Sequence, residues 1–295
     1  MVGSLSFKTR VCPLVNCIFL QFFSKKVLLL VRFLDDYTYM RAVICKLIVM
    51  FLLMGGQLSA ESFAKANSLF NQGTPRSIKE SLIILENLIA DKKADGKVYA
   101  LASLVYANYG FDDYKHIGPE AIDLLQVSKI YLQNAQKLGE KGSNVAKAEA
   151  LLYMISGNFQ RSEQLLKAAI KVNATDSELY YYLACSSEGK LHLPDTPAGG
   201  YAEKAIELNP ANLMALEDMF LSAIQNDDLV RAEFFQKKLI ETPGAKDRLS
   251  FYAGLMSLGK GQRTDAILSF QTFLRDNPAD ARGESLRREL PELKE

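Results

Sequence analysis

Beyond residue 60 the chain is written almost entirely in one alternation. Apolar positions fall three and four apart for ten to fifteen residues, a short polar break follows, and the pattern restarts. The runs "SEQLLKAAIKVNA", "YAEKAIELNP", "AEFFQKKLIETP" and "AILSFQTFLRDNP" all end at matching positions. Pro210, Pro243 and Pro278 close three of them, and Ala174 fills that slot one unit earlier, at spacings of 36, 33 and 35 residues. Proline lacks a backbone donor and clashes with the preceding turn, so each run is expected to stop there. Asn209 and Asn277 precede two of these prolines and suit a helix end, where left-handed backbone is common. Self-similarity at this period predicts stacked helix–turn–helix units.

Upstream, residues 61–142 read as further helix pairs with weaker marks. "ESFAKANSLFNQG" pairs with "RSIKESLIILENLIAD", and "GKVYALASLVYANYGF" with "PEAIDLLQVSKIYLQNAQKLGEKG" across a connection "DDYKHIG". At the far end, within residues 281–295, "ARGESLRREL" is a short charged amphipathic run suited to a capping helix with a polar outer face. No strand or low-complexity linker is expected after residue 60.

The marks in residues 143–280 resemble those of the tetratricopeptide repeat. The unit at 143–176 supplies Ala150, Tyr153, Gly157, Phe159, Leu166 and Ala169, with Ser162 and Ala174 at two departures. Residues 247–280 supply Gly254, Gly261, Ala266, Phe270 and Pro278, with Phe273 where a second Ala belongs. Residues 213–246 give Phe220, Ala232 and Pro243, but Asp227 replaces the turn glycine and Leu229 the aromatic. The unit at 177–212 keeps Ala184, Ala198, Ala202, Ala205 and Pro210 around a lengthened turn. Small residues such as Ala150, Ala184 and Gly254 would let helices approach closely. The resemblance implies an all-α, right-handed superhelical solenoid of five or six antiparallel helix pairs.

It also implies a concave groove that binds a protein or peptide. The family's groove positions fall on Asn144, Lys147, Leu151 and Met154, then Glu178, Tyr181 and Cys185. They continue at Met214, Glu217 and Leu221, and end at Arg248, Phe251, Leu255 and Leu258. This lining suits a segment with apolar anchors. Leu151, Cys185, Leu221 and Leu255 occupy the asparagine position of the carboxylate-clamp members, which speaks against recognition of a C-terminal carboxylate.

Charge changes the picture at the N-terminus. The chain has 35 basic and 34 acidic residues, but the first sixty hold seven basic groups against Asp35 and Asp36. The remainder, with 28 basic and 32 acidic residues, offers no electrostatic basis for nucleic-acid binding. "MRAVICKLIVMFLLMGGQLSAES" from Met40 has the positive start, apolar stretch and small residues of a secretory signal peptide, so residues 40–60 are read as one, cut after Ala60. That reading implies export to a bacterial periplasm. An uncleaved anchor over residues 40–58 is the alternative, although Lys46 interrupts a stretch shorter than the ~20 residues that span a bilayer. Residues 1–39 fit neither role and are read as lying upstream of a true start at Met40. Of four cysteines, only Cys185 follows the leader, which excludes an internal disulfide after cleavage.

Candidate chemistry is sparse. "GLMSLGKG" at 254–261 imitates a phosphate loop, but Gly261 stands where Ser or Thr would bind magnesium and no strand precedes it. His116 and His192 lie in long connections with acids nearby but lack metal-ligand spacing. An enzyme or ligand-binding accessory using those loops is a second alternative. Asn173-Ala174-Thr175 matches a glycosylation acceptor, which matters only in a eukaryotic secretory pathway. The expectation is a non-catalytic protein without cofactor or metal.

Overall fold

Many of the helix starts are fixed by a capping side chain one residue before the apolar run; the helices that open at Ser143, Leu249 and Arg263 begin without one. Thr74 and Ser77 form a reciprocal capping box ahead of Pro75, and Asn158, Asp176, Thr196, Asn212 and Asp228 each accept a hydrogen bond from a first-turn amide. Such caps satisfy donors that the helix itself leaves orphaned. The computed structural model describes residues 59–92, 94–115, 121–187, 196–278, 280 and 282–294. Within them α1 spans 59–72. It is followed by α2 (Pro75–Ala90), α3 (Gly96–Lys115), α4 (Ala121–Lys137), α5 (Ser143–Ile155), α6 (Phe159–Val172) and α7 (Ser177–Ser186). Then come α8 (Pro197–Leu208), α9 (Leu213–Gln225), α10 (Leu229–Glu241), a 3-10 turn (Pro243–Arg248), α11 (Leu249–Gly259), α12 (Arg263–Asp276), α13 (Arg282–Glu289) and a final 3-10 turn (Pro291–Lys294). No strand occurs among the described residues. The expected all-α class is therefore observed.

Four helices end two residues before Ala174, Pro210, Pro243 and Pro278, as the repeated stops predicted. The backbone there differs from expectation. Asn209 and Asn277 have φ of −139° and −133°, so neither is left-handed, and each makes one last amide bond to the carbonyl four residues back. Left-handed backbone appears instead inside the units, at Gly157 (φ 77°), Asp227 (φ 57°) and Gly261 (φ 73°). Asp227 thus adopts the turn geometry of the glycine it replaces. A second correction concerns α3, which continues through Asp112, Asp113, Tyr114 and Lys115, residues read as connection.

Residues 59–295 form one compact unit. Consecutive helices from α2 to α12 pack on one another, and α5 also packs on α3 and α7, as α11 does on α9. Two hydrophobic cores result. One is centred on Leu85, Leu101, Leu104, Leu151 and Leu179, the other on Phe220, Tyr252, Phe270 and Phe273. The capping run extends the second core through Leu286, Leu290 and Leu293. Between α3 and α4, Ser103 and Ser128 bond reciprocally to each other's carbonyls at 2.9 Å.

The first turn of the unit reaches the far end of the chain. Gly73, left-handed at φ 66°, offers its carbonyl to Arg248 Nη2 at 3.1 Å, across 175 residues of sequence. Leu213 lies against Gly73, and Gly244 lies against the carbonyl of Gln72. Residues 1–58, with the proposed leader and anchor, and the histidine connections at 116–120 and 188–195 lie outside the described residues.

Candidate protein-binding groove

Two cavities open beside the Gly73 turn, and Gly73 and Met214 wall both. The first, about 410 Å³, lies between α1 and the starts of α5, α7 and α9. The second, about 310 Å³, lies among α7, α9, α11 and α13.

In the first cavity Lys147 is buried, and its ammonium bridges Asp176 at 3.1 Å and Glu178 at 2.5 Å. Burial works to lower its pKa, but the two carboxylates overcome that and hold it above the ordinary lysine value. Asp176 also caps α7 by accepting from the Glu178 amide. This triad ties the start of α7 to α5 across the cavity floor.

The second cavity is built around Glu217. Arg248 Nη1 donates to its Oε2 at 2.8 Å, Arg282 Nη2 to its Oε1 at 3.0 Å, and the Tyr252 hydroxyl to Oε1 at 3.1 Å. Burial would raise the Glu217 carboxyl, yet Arg282 and Arg248, helped by the Tyr252 hydroxyl, keep it below the usual carboxylate range. The Tyr252 phenol is pushed up by its own burial and by the Glu217 charge. The Arg282 guanidinium lies 5.2 Å over the Phe251 ring, and the Tyr181 hydroxyl donates to Asp218 at 3.2 Å. Apolar walls come from Met214, Leu221, Phe251, Leu255 and Leu286. Chemically this is a charged hub with apolar flanks.

The structure places the sequence-derived groove positions in two groups. Asn144, Lys147 and Glu178 line the first cavity, Met214 both, and Tyr181, Glu217, Leu221, Arg248, Phe251 and Leu255 the second. Leu151 and Met154 are buried in the first core, on a helix that packs against both α3 and α7. Cys185 packs against the first core and Leu258 against the second, both away from the cavity walls. Sequence reasoning missed the contributions of α1 (Phe63, Asn67, Phe70, Asn71) and α13 (Arg282, Ser285, Glu289). Only the one-face spacing of the α1 residues could have hinted at them.

The segment 254–261 is the end of α11 and a turn, and Gly254 faces the ring of Phe270. Among the described residues no group of His, Cys, Asp and Glu could hold a metal ion, and no helix is long and apolar enough to cross a membrane. No protein-family model matches the chain, and no curated protein matches it in sequence.

Proposed function

We propose that this chain is an exported, non-catalytic scaffold of the tetratricopeptide type, a superhelical array of five or six helix pairs that holds a segment of another protein in its concave groove. The cell envelope, and the periplasm in particular, is the compartment this reading assigns, on the layout of residues 40–60. The observation that carries the binding part is convergence. First-helix positions drawn from separate units, Glu178 and Tyr181, Met214 and Leu221, Phe251 and Leu255, meet as walls of two adjoining cavities. Apolar walls around a fixed charged centre fit the usual composition of a recognition site.

Photo-crosslinking from Leu255 in the native host tests the reading. It predicts one or a few specific envelope proteins linked at Leu255 and lost when Phe251→Ala is added. Crosslinks no different from those made at an outer-face position, such as Leu268, would defeat it. Mapping of the mature N-terminus tests the export part, with a soluble chain starting near Glu61 expected.

A further inference from the structure

Where α3 packs on α2 and α4, three tyrosines gather beside one carboxylate. Tyr99 and Tyr106 stand two turns apart on one face of α3. Tyr131 comes from α4, and its ring centre lies 5.8 Å from each of theirs, tilted by 51° and 55°. The three rings therefore make a bent wall rather than a stack. Glu86 comes from α2. The Tyr106 hydroxyl donates to its Oε1 at 2.8 Å, and the Tyr131 hydroxyl faces both oxygens at 2.9 Å. All four residues are half-buried, so solvent reaches them. None of them lines either cavity.

The hydrogen-bonding capacity of this carboxylate is largely filled, but its charge is not. A carboxylate offers about four acceptor positions, and the two phenols already engage both of its oxygens. Among the described residues no Lys or Arg pairs with Glu86, and none stands over the three rings. Elsewhere the chain covers its own rings with cations: Arg231 over Phe235, Lys238 over Phe234 and Arg282 over Phe251. The uncompensated charge is felt by the phenols. Tyr106 is pushed up to about 12, first by burial and then by its bond to Glu86 and the Glu86 charge, and Tyr131 is raised for the same reasons. Both rings stay neutral, with their electron-rich faces intact.

We propose that Tyr99, Tyr106, Tyr131 and Glu86 form a binding site for a trimethylammonium group. Such a cation has no N–H to donate, so it needs only what this site has left, negative charge and ring faces. A primary ammonium brings three donors and would have to displace the phenols from Glu86. An anion is repelled. The site stands apart from the cavities and does not rest on the protein-binding reading above.

Choline is the probe, titrated into the full chain from about 0.1 to about 30 mM and followed by saturation transfer to its methyl signal, a range set by the modest strength of exposed cation–π contacts. Saturable binding is expected. Ethanolamine, and the uncharged analogue with a quaternary carbon in place of nitrogen, should each bind about fivefold more weakly or worse. Glu86→Gln should weaken choline about tenfold. Tyr99 shares no hydrogen bond with Glu86, so Tyr99→Leu removes a ring face alone and should cost about threefold, whereas Tyr99→Phe keeps a face and should cost less than about twofold. Thermal melts verify that the variants fold; if Tyr99→Leu does not, Glu86→Gln and the choline analogues still decide. Absence of saturable binding overturns the proposal. So does an equal response to the carbon analogue, which would make the cluster a plain apolar patch, or tighter binding of ethanolamine, which would make Glu86 an ordinary ion-pair partner. Unchanged affinity in Glu86→Gln overturns it too, since choline would then sit elsewhere. Phosphatidylcholine vesicles separate the two sources of the group. Cosedimentation that free choline reverses assigns a lipid headgroup, choline binding without cosedimentation assigns a free solute, and either supports the site.

Discussion

Gly244 sits so close to the main chain of Gln72 that a β-carbon added to it would lie 2.3 Å from the Gln72 carbonyl oxygen. The contact joins the first turn of the compact unit to the 3-10 turn before α11, and Arg248 bonds the next carbonyl along. Gly244→Ala suits a 3-10 turn but not this contact. It should push residues 59–74 away and lower stability by about 1–3 kcal/mol, as overpacking usually does. Faster amide exchange confined to 59–74 and 243–248 is the expected signature. Unchanged exchange there would show that the turn yields without opening.

Glu217 makes stability depend on acid. Its carboxyl is held below its unfolded value, so its contribution is complete above about pH 4.5 and fades as pH falls through the lowered folded value. Glu217→Gln leaves buried Arg248 and half-buried Arg282 against a neutral acceptor and should cost about 3–5 kcal/mol at neutral pH. Urea midpoints should then differ widely at pH 7 and draw together as pH falls below about 4.5. A gap that stays constant with pH would contradict the role of its charge.

Gly254 on α11 faces Phe270, whose Cε1 would lie 2.5 Å from an added β-carbon. Alanine would gain about 1 kcal/mol of helix propensity, against about 1–3 kcal/mol for displacing a fully buried ring. The net expectation for Gly254→Ala is a loss of up to about 2 kcal/mol. Combined with Phe270→Leu, it should be less damaging than the two losses summed. Strict additivity would mean that the two residues do not share the space.

Ser103→Ala alone strands buried groups of its partner helix and should cost about 1–3 kcal/mol. Adding Ser128→Ala removes the second hydroxyl along with its need for a partner, so the double variant should be no worse than the single one. Thermal melts of the three proteins decide this; a double loss equal to the sum would show two independent bonds.

Helix ends were legible in the sequence because their determinants are local: a proline or its surrogate Ala174 after each run, and an Asn, Asp or Thr before the next. The acids Asp112 and Asp113 misled, since they oppose the helix dipole near a C-terminus, yet α3 runs past them. Asn209 and Asn277 misled in backbone sign, because a helix can also end without a left-handed residue. Met214, Glu217 and Leu221 in α9 and Phe251 and Leu255 in α11 follow repeat spacing, whereas Leu258 does not. Nor do Leu151 and Met154, because both are buried in the first core, on a helix that α3 and α7 also pack against. Of the walls given by α1 and α13, only the one-face spacing of the α1 residues was a legible sign; the Arg248–Gly73 pairing across 175 residues leaves no periodicity.

The bond from Arg248 to Gly73 also sets an order of events during synthesis. Most helix packing here joins neighbours in the chain, and such contacts can form soon after each segment leaves the ribosome. The Gly73 carbonyl must instead wait for a partner 175 residues away, or roughly 9–35 s at ordinary elongation rates. Until Arg248 arrives, the Gly73 turn lacks this tether and the second cavity has a wall missing. A nascent chain can therefore finish most of its core before it possesses that site.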